Sequence, residues 1–127
     1  MSLSALVLAI WAHMSALYAH QPDAGRIADA IAEAEPTVEE AATAALYVAL
    51  ESGVNEHPRA FSWDAKAGVS CGILQMPCAF VATHTLVEQV RWWLSAVRSR
   101  GLASVDSSPS RARAREAQAM RLLDAVR

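Results

Sequence analysis

Apolar positions run almost without interruption through two stretches of the chain and follow a helical period in three others. The first stretch, LSALVLAIWAHMSALYA at residues 3–19, is broken only by Ser4, His13 and Ser15, and it ends near Pro22. It falls short of the ~20 continuous apolar residues a membrane span needs, and no Lys or Arg precedes it as in a secretory signal. It is expected to form the first helix of the domain, buried in the fold; an export or anchor segment is the competing reading. DAGRIADAIAEAE follows, with Ile27, Ile31 and Ala34 at spacings of four and three, which predicts an amphipathic helix starting at Asp23. Pro36 interrupts it. Thr37 and Glu40 then stand in a capping-box pattern, ahead of the second apolar stretch. A helix over 38–51 that is Ala, Leu, Tyr and Val nearly all round is expected to be the central one.

From Gly53 to Pro77 the helical period is lost, and Pro58, Gly68, Gly72 and Pro77 punctuate the segment. RAFSW and GVSCGILQM alternate partially about DAKAG, which predicts a short β-hairpin or two irregular strands. A helix from about Phe80 to Arg100 comes next, with Leu86, Val90, Trp93, Leu94 and Val97 on one face and Gly101 as its stop. The polar segment 106–110, with Pro109 among serines, reads as a loop, and Arg111 to Arg127 as a last helix with Met120, Leu123 and Val126 inward.

These elements fit one domain: 127 residues can enclose a single core and are too few for two ordinary ones. The composition, rich in Ala and Arg and light in Gly, agrees with a mainly α (α+β) fold class. The formal charge of −2 conceals an acidic stretch over 22–56 and a C-terminal part carrying Arg98, Arg100, Arg111, Arg113, Arg115, Arg121 and Arg127. Those arginines alternate with alanines and have no interleaved aromatics, so the expectation is a solvated helix face and no nucleic-acid partner. Cys71 and Cys78 do not have a metal-knuckle spacing and no histidine pair accompanies them, so no metal site is expected. Whether they form a disulfide across a short turn or remain buried thiols is open at this level.

The chemistry concentrates at the end of the third helix. A carboxylate at the C-terminal end of a buried helix faces desolvation and the negative end of the helix dipole, and both favour its protonated form. Glu51 is therefore a candidate general acid, although an ordinary surface charge at a helix end is the simpler alternative.

The stretch ESGVNEHPRAFSWDAKAGVSCGILQMP adds context. A buried helix ending in Glu-Ser, an irregular hairpin, and then Gly72-Ile73-Leu74-Gln75-Met76-Pro77 resembles the catalytic region of the goose-type lysozyme and soluble lytic transglycosylase superfamily, over roughly Asp23 to Arg100. That resemblance implies a lysozyme-like helical domain with a small β-hairpin after the catalytic helix. It implies 23–100 as the catalytic region, flanked by the elements read above: 1–22 as an apolar N-terminal helix, 101–110 as a linker and 111–127 as a C-terminal helix. It also implies cleavage of the peptidoglycan glycan strand between N-acetylmuramic acid and N-acetylglucosamine, without a cofactor. Glu51 would be the acid/base, with Ser52, Gln75 and Met76 on the substrate side. Tyr47, one turn before Glu51, and Trp63 in the hairpin would join them as cleft residues, their ordinary role being packing.

In the transglycosylase version Glu51 then deprotonates the muramyl C6 hydroxyl and gives 1,6-anhydro ends. Lysozyme-type hydrolysis would call for a second carboxylate. Glu56 and Asp64 are the candidates, with solvation and turn formation as their ordinary roles. The family's later Tyr-Asn element has no counterpart, since no tyrosine follows Gln75. Trp92 could stack on sugar; His57 and His84 read as surface histidines.

The size, with no wall-binding module, suggests a bacteriophage lysis or virion-associated enzyme or a small bacterial one. It would act in the virion or at the bacterial envelope, outside the cell. The alternative is a non-catalytic structural or adaptor protein that keeps a lysozyme-like fold and meets virion or other protein assembly partners.

Overall fold

The computed structural model describes residues 1–57 and 70–127. Among these residues, seven α-helices and one two-stranded antiparallel hairpin make up the regular structure: α1 (Leu3–Met14), α2 (Ala16–Ala19), α3 (Ala24–Glu33), α4 (Val38–Ser52), β1 (Ser70–Cys71), β2 (Met76–Pro77), α5 (Cys78–Val81), α6 (Leu86–Arg100) and α7 (Pro109–Val126). A 3-10 turn, Leu102–Val105, joins α6 to α7. The mainly α class with a small β element is the observed one.

α4 is the axis. Ten of its fifteen residues are buried, five of them alanines at 41, 42, 44, 45 and 49. Small side chains let neighbouring backbones come close, so α1 and α7 both pack on α4 and on each other, and α3 packs on α1 and α6. Trp11 of α1 is fully buried, and its indole Nε1 donates to the Ala45 carbonyl 2.8 Å away. The apolar first segment is thus part of the core through Leu6, Val7, Ile10 and Trp11. No helix among the described residues is long and apolar enough to cross a membrane.

The expected helix over 3–19 is divided. Ser15 is extended at φ −168°, its N–H closes α1 on Trp11 O and its hydroxyl accepts from Leu17 N to start α2. The expected helix from Phe80 is divided too: Thr85 and Glu88 form a second capping box, which starts α6 afresh at Leu86. That Thr-x-x-Glu signal lies inside the apolar pattern that suggested continuity. The first capping box is present at Thr37 and Glu40, and Pro109 opens α7 at its first turn behind Ser108.

From Ser70 to Pro77 the chain folds back on itself in a tight hairpin. Ser70 pairs with Pro77 and Cys71 with Met76. The turn between them needs left-handed backbone at Gly72 (φ 78°) and Gln75 (φ 51°), and it drives Ile73 and Leu74 into the core. RAFSW and DAKAG lie at or within 58–69, outside the described residues, and Trp63 and Asp64 with them. A disulfide joins Cys71 to Cys78, with Cα atoms 4.8 Å apart. It closes the turn that a two-residue ladder alone would hold weakly.

Candidate functional site

Glu51 sits in the last turn of α4, where Gly53 at φ 65° caps the helix. Val54 follows at φ 61°, a costly conformation for a β-branched residue, on the order of 1–3 kcal/mol. Its side chain is fully buried, and that burial holds the turn in place. The chain is thereby turned sharply away just past Glu51. The Glu51 side chain is 27% exposed.

The surroundings of Glu51 differ from an apolar cleft. Arg115 Nη1 of α7 donates to Glu51 Oε1 at 2.8 Å, and Arg111 Nη2 lies 3.6 Å from the same oxygen. Oε2 accepts no hydrogen bond among the described residues. Two guanidiniums thus bring opposite charge against this carboxylate.

Arg115 is only 11% exposed and its guanidinium lies over the Tyr47 ring, 4.8 Å from the centroid. On its other side stands Asp106, whose Oδ2 is 3.8 Å from Arg115 Nη1 and whose Oδ1 is 3.3 Å from Arg111 Nε. The Tyr47 hydroxyl donates a short hydrogen bond to Asp106 Oδ2, and Ser107 N donates to Oδ1 at 2.6 Å. Burial pushes the Asp106 carboxyl up, but the Tyr47 hydroxyl, the Ser107 N–H and the two arginines outweigh it and hold Asp106 below the usual aspartate range. Burial first, then the hydrogen bond and charge of Asp106, pushes the Tyr47 phenol well above its usual range, so it stays a donor. Two carboxylates, two guanidiniums and one phenol thus form a single network joining α4, the segment before α7, and α7.

The remaining expected cleft residues have other positions. Tyr47 is 1% exposed and packs on Trp93 with ring centroids 5.5 Å apart, so it belongs to the core, and Arg115 links it to Glu51. Ser52 is buried, and its hydroxyl donates to Val48 O at 2.8 Å within α4 itself instead of facing a ligand. Met76 is a core residue. Gln75 is partly exposed and its Nε2 donates to Gly72 O at 3.0 Å, so its amide braces its own turn.

Glu56, considered as a second carboxylate, is ion-paired to Arg26, and its backbone N–H donates to Asp23 Oδ2 at 3.0 Å. It lines a groove of about 610 Å³ with Arg26, Asp29, Glu33 and Leu86, of which Glu51 is not part. His84 stacks on Phe80 with centroids 3.7 Å apart, and Trp92, 43% exposed, leans on the same ring at 5.8 Å. His57 N–H donates to Asn55 Oδ1.

Asp106 carried no signal in its sequence context, and Arg111 and Arg115 were expected on a solvated helix face, where Arg115 is instead nearly enclosed. Arg111 and Arg115 share a helix face by their spacing of four, but nothing local pairs that face with a glutamate 64 residues earlier. Among the described residues no cluster of His, Cys, Asp and Glu is arranged to hold a metal ion. No protein-family model, curated protein or solved structure matches this chain.

Proposed function

We propose that the protein cleaves the glycan strand of peptidoglycan between N-acetylmuramic acid and N-acetylglucosamine, with Glu51 as general acid and then general base. The observation that carries this reading is the division of labour between the two Glu51 oxygens. Arg115 anchors Oε1, while Oε2 of a partly exposed carboxylate is left without such a partner among the described residues. A group fixed at one oxygen and open at the other is suited to proton transfer with a bound ligand. The Glu-Ser helix end followed by the Gly72–Gln75 turn supports the same family resemblance.

The protonated carboxyl gives its proton to the glycosidic oxygen as the bond to C1 breaks. The carboxylate then accepts a proton from the attacking hydroxyl. The muramyl C6 hydroxyl as attacker gives a 1,6-anhydro end; water gives a reducing end. Glu56 is engaged by Arg26, so no second carboxylate supports the hydrolytic route among the described residues, and the transglycosylase outcome is the one we favour.

A second reading, a non-catalytic structural or adaptor protein of a phage particle or envelope, is favoured by the same ion pairs. Arg111 and Arg115 on Glu51 would simply tie α7 to α4. Digestion of purified peptidoglycan by the wild type and by Glu51→Gln, followed by mass spectrometry of the muropeptides, separates the two. Anhydro products that vanish in the variant are expected. No release by the wild type, across sacculi of several wall types, would sink the enzymatic reading.

A further inference from the structure

The two carboxylates of the network differ in how far they are committed. The Asp106 side chain is 1% exposed and is met by the Tyr47 hydroxyl, the Ser107 N–H, Arg111 and Arg115. Glu51 is partly open, and its hydrogen bond to the network among the described residues is the one at Oε1. Arg115 lies between them, nearly enclosed, over the Tyr47 ring. An enclosed guanidinium needs a counter-ion at all times, because an uncompensated buried charge is strongly unfavourable. Were Glu51 the sole partner, taking up a proton would strand Arg115, and the network would lock Glu51 in its ionised form. Arg111, 47% exposed, is partly solvated and sets no such condition.

We propose that Asp106 is the standing counter-ion of Arg115, so that Glu51 can gain and lose a proton while Arg115 continues to hold its Oε1. Asp106 and Arg115 are positioning residues for Glu51, and this role rests on the acid/base reading of Glu51 given above. The geometry also assigns the place of the proton. Arg115 donates to Oε1, so that oxygen remains an acceptor and the proton resides on Oε2. When the glycosidic C–O bond breaks, the leaving sugar takes the bond's electron pair and the Oε2 proton. Glu51, now a carboxylate, later takes one proton from the hydroxyl that adds to C1. Asp106, Arg115 and Tyr47 neither gain nor lose a proton in the cycle.

Two measurements test the proposal. The first compares wild type with Asp106→Asn on two substrates: a peptidoglycan glycan fragment with a sugar leaving group, and the same glycan carrying a 4-nitrophenyl leaving group that departs without protonation. Asp106→Asn is expected to lower kcat on the sugar leaving group by about 10- to 100-fold. KM should stay within about twofold, and the nitrophenyl substrate should lose no more than about threefold. Equal losses on both substrates would reduce Asp106 to a purely structural role. If wild type and Glu51→Gln are equally inactive on both, the enzymatic reading fails, which is a different outcome.

The second measurement needs no turnover. Glu51→Gln mimics the protonated acid, and NMR of the Arg115 guanidinium reports whether its rotation is restrained. Restrained rotation in Glu51→Gln, released when Asp106→Asn is added, is the expected result. Free rotation in Glu51→Gln with Asp106 intact would overturn the proposal.

Discussion

The two ends of α4 each carry a glutamate paired with an arginine from a distant helix, and the two pairings differ in kind. At the N-terminal end, both oxygens of Glu40 are occupied. Arg98 of α6 donates to Oε1 and Oε2, each at 2.7 Å, and Thr37 N donates to Oε1 at 2.9 Å in the capping box. The positive end of the helix dipole adds to this. The Arg98 hydrogen bonds, against some opposing burial and with help from Thr37 and the Arg98 charge, take the Glu40 carboxyl down to about 2. At the C-terminal end the dipole is adverse, Glu51 is hydrogen-bonded at Oε1 alone among the described residues, and its guanidinium is shared with Asp106. A fully bonded carboxylate at the favourable end holds structure together. A carboxylate hydrogen-bonded at one oxygen, at the adverse end, is the one to which we assign proton transfer.

The largest expected effect breaks the comparison at its functional side. Glu51→Gln should lower the rate of muropeptide release by about 100-fold or more, the ordinary range for losing a general acid/base. Its urea midpoint should remain close to that of wild type. Glu40→Gln should do the reverse, leaving turnover within about twofold and lowering stability by about 1 kcal/mol through the weakened cap. Comparable activity losses in both variants would remove the distinction between the two ends.

The partners should differ as well. Arg115→Met leaves Asp106 buried opposite a lost cation and should destabilise by about 3 kcal/mol in urea unfolding. Arg98→Met removes a half-exposed partner and should cost under about 1 kcal/mol.

The smallest effect lies in acid. Glu40 is held below its ordinary value of 4.5, at about 2, so its contribution is complete above pH 4.5 and is lost as pH falls through about 2. The stability difference between wild type and Glu40→Gln, followed by denaturant unfolding at several pH values, should therefore shrink over that window. A difference that stayed constant down to pH 2 would show that the Arg98 pair does not set the Glu40 ionisation.

Wherever the decisive contacts are a few residues apart, the chain itself disclosed the structure. α3, α4 and α7 were legible to within two or three residues, because 3.6-residue periodicity and caps such as Thr37–Glu40 act through neighbours three and four positions away. Even so, Ser15 and the Thr85–Glu88 box divided two helices that apolar continuity had joined. The place of Glu51 at the end of the most buried helix was legible for the same local reason. The roles of its neighbours were not.

Tyr47, Ser52 and Met76 have side chains that suit a cleft or a core equally well, and packing against Trp93, Val48 and the core assigned them inward. By itself, then, the sequence determined a helical domain, the Thr37–Glu40 cap of its central helix, and a glutamate set at an adverse helix end. The tertiary structure alone decided that Asp106, Arg111 and Arg115 meet that glutamate. The reason is that α7 packs on α4 across more than fifty residues of intervening chain. An ion pair of that separation leaves no periodicity for a local pattern to reveal.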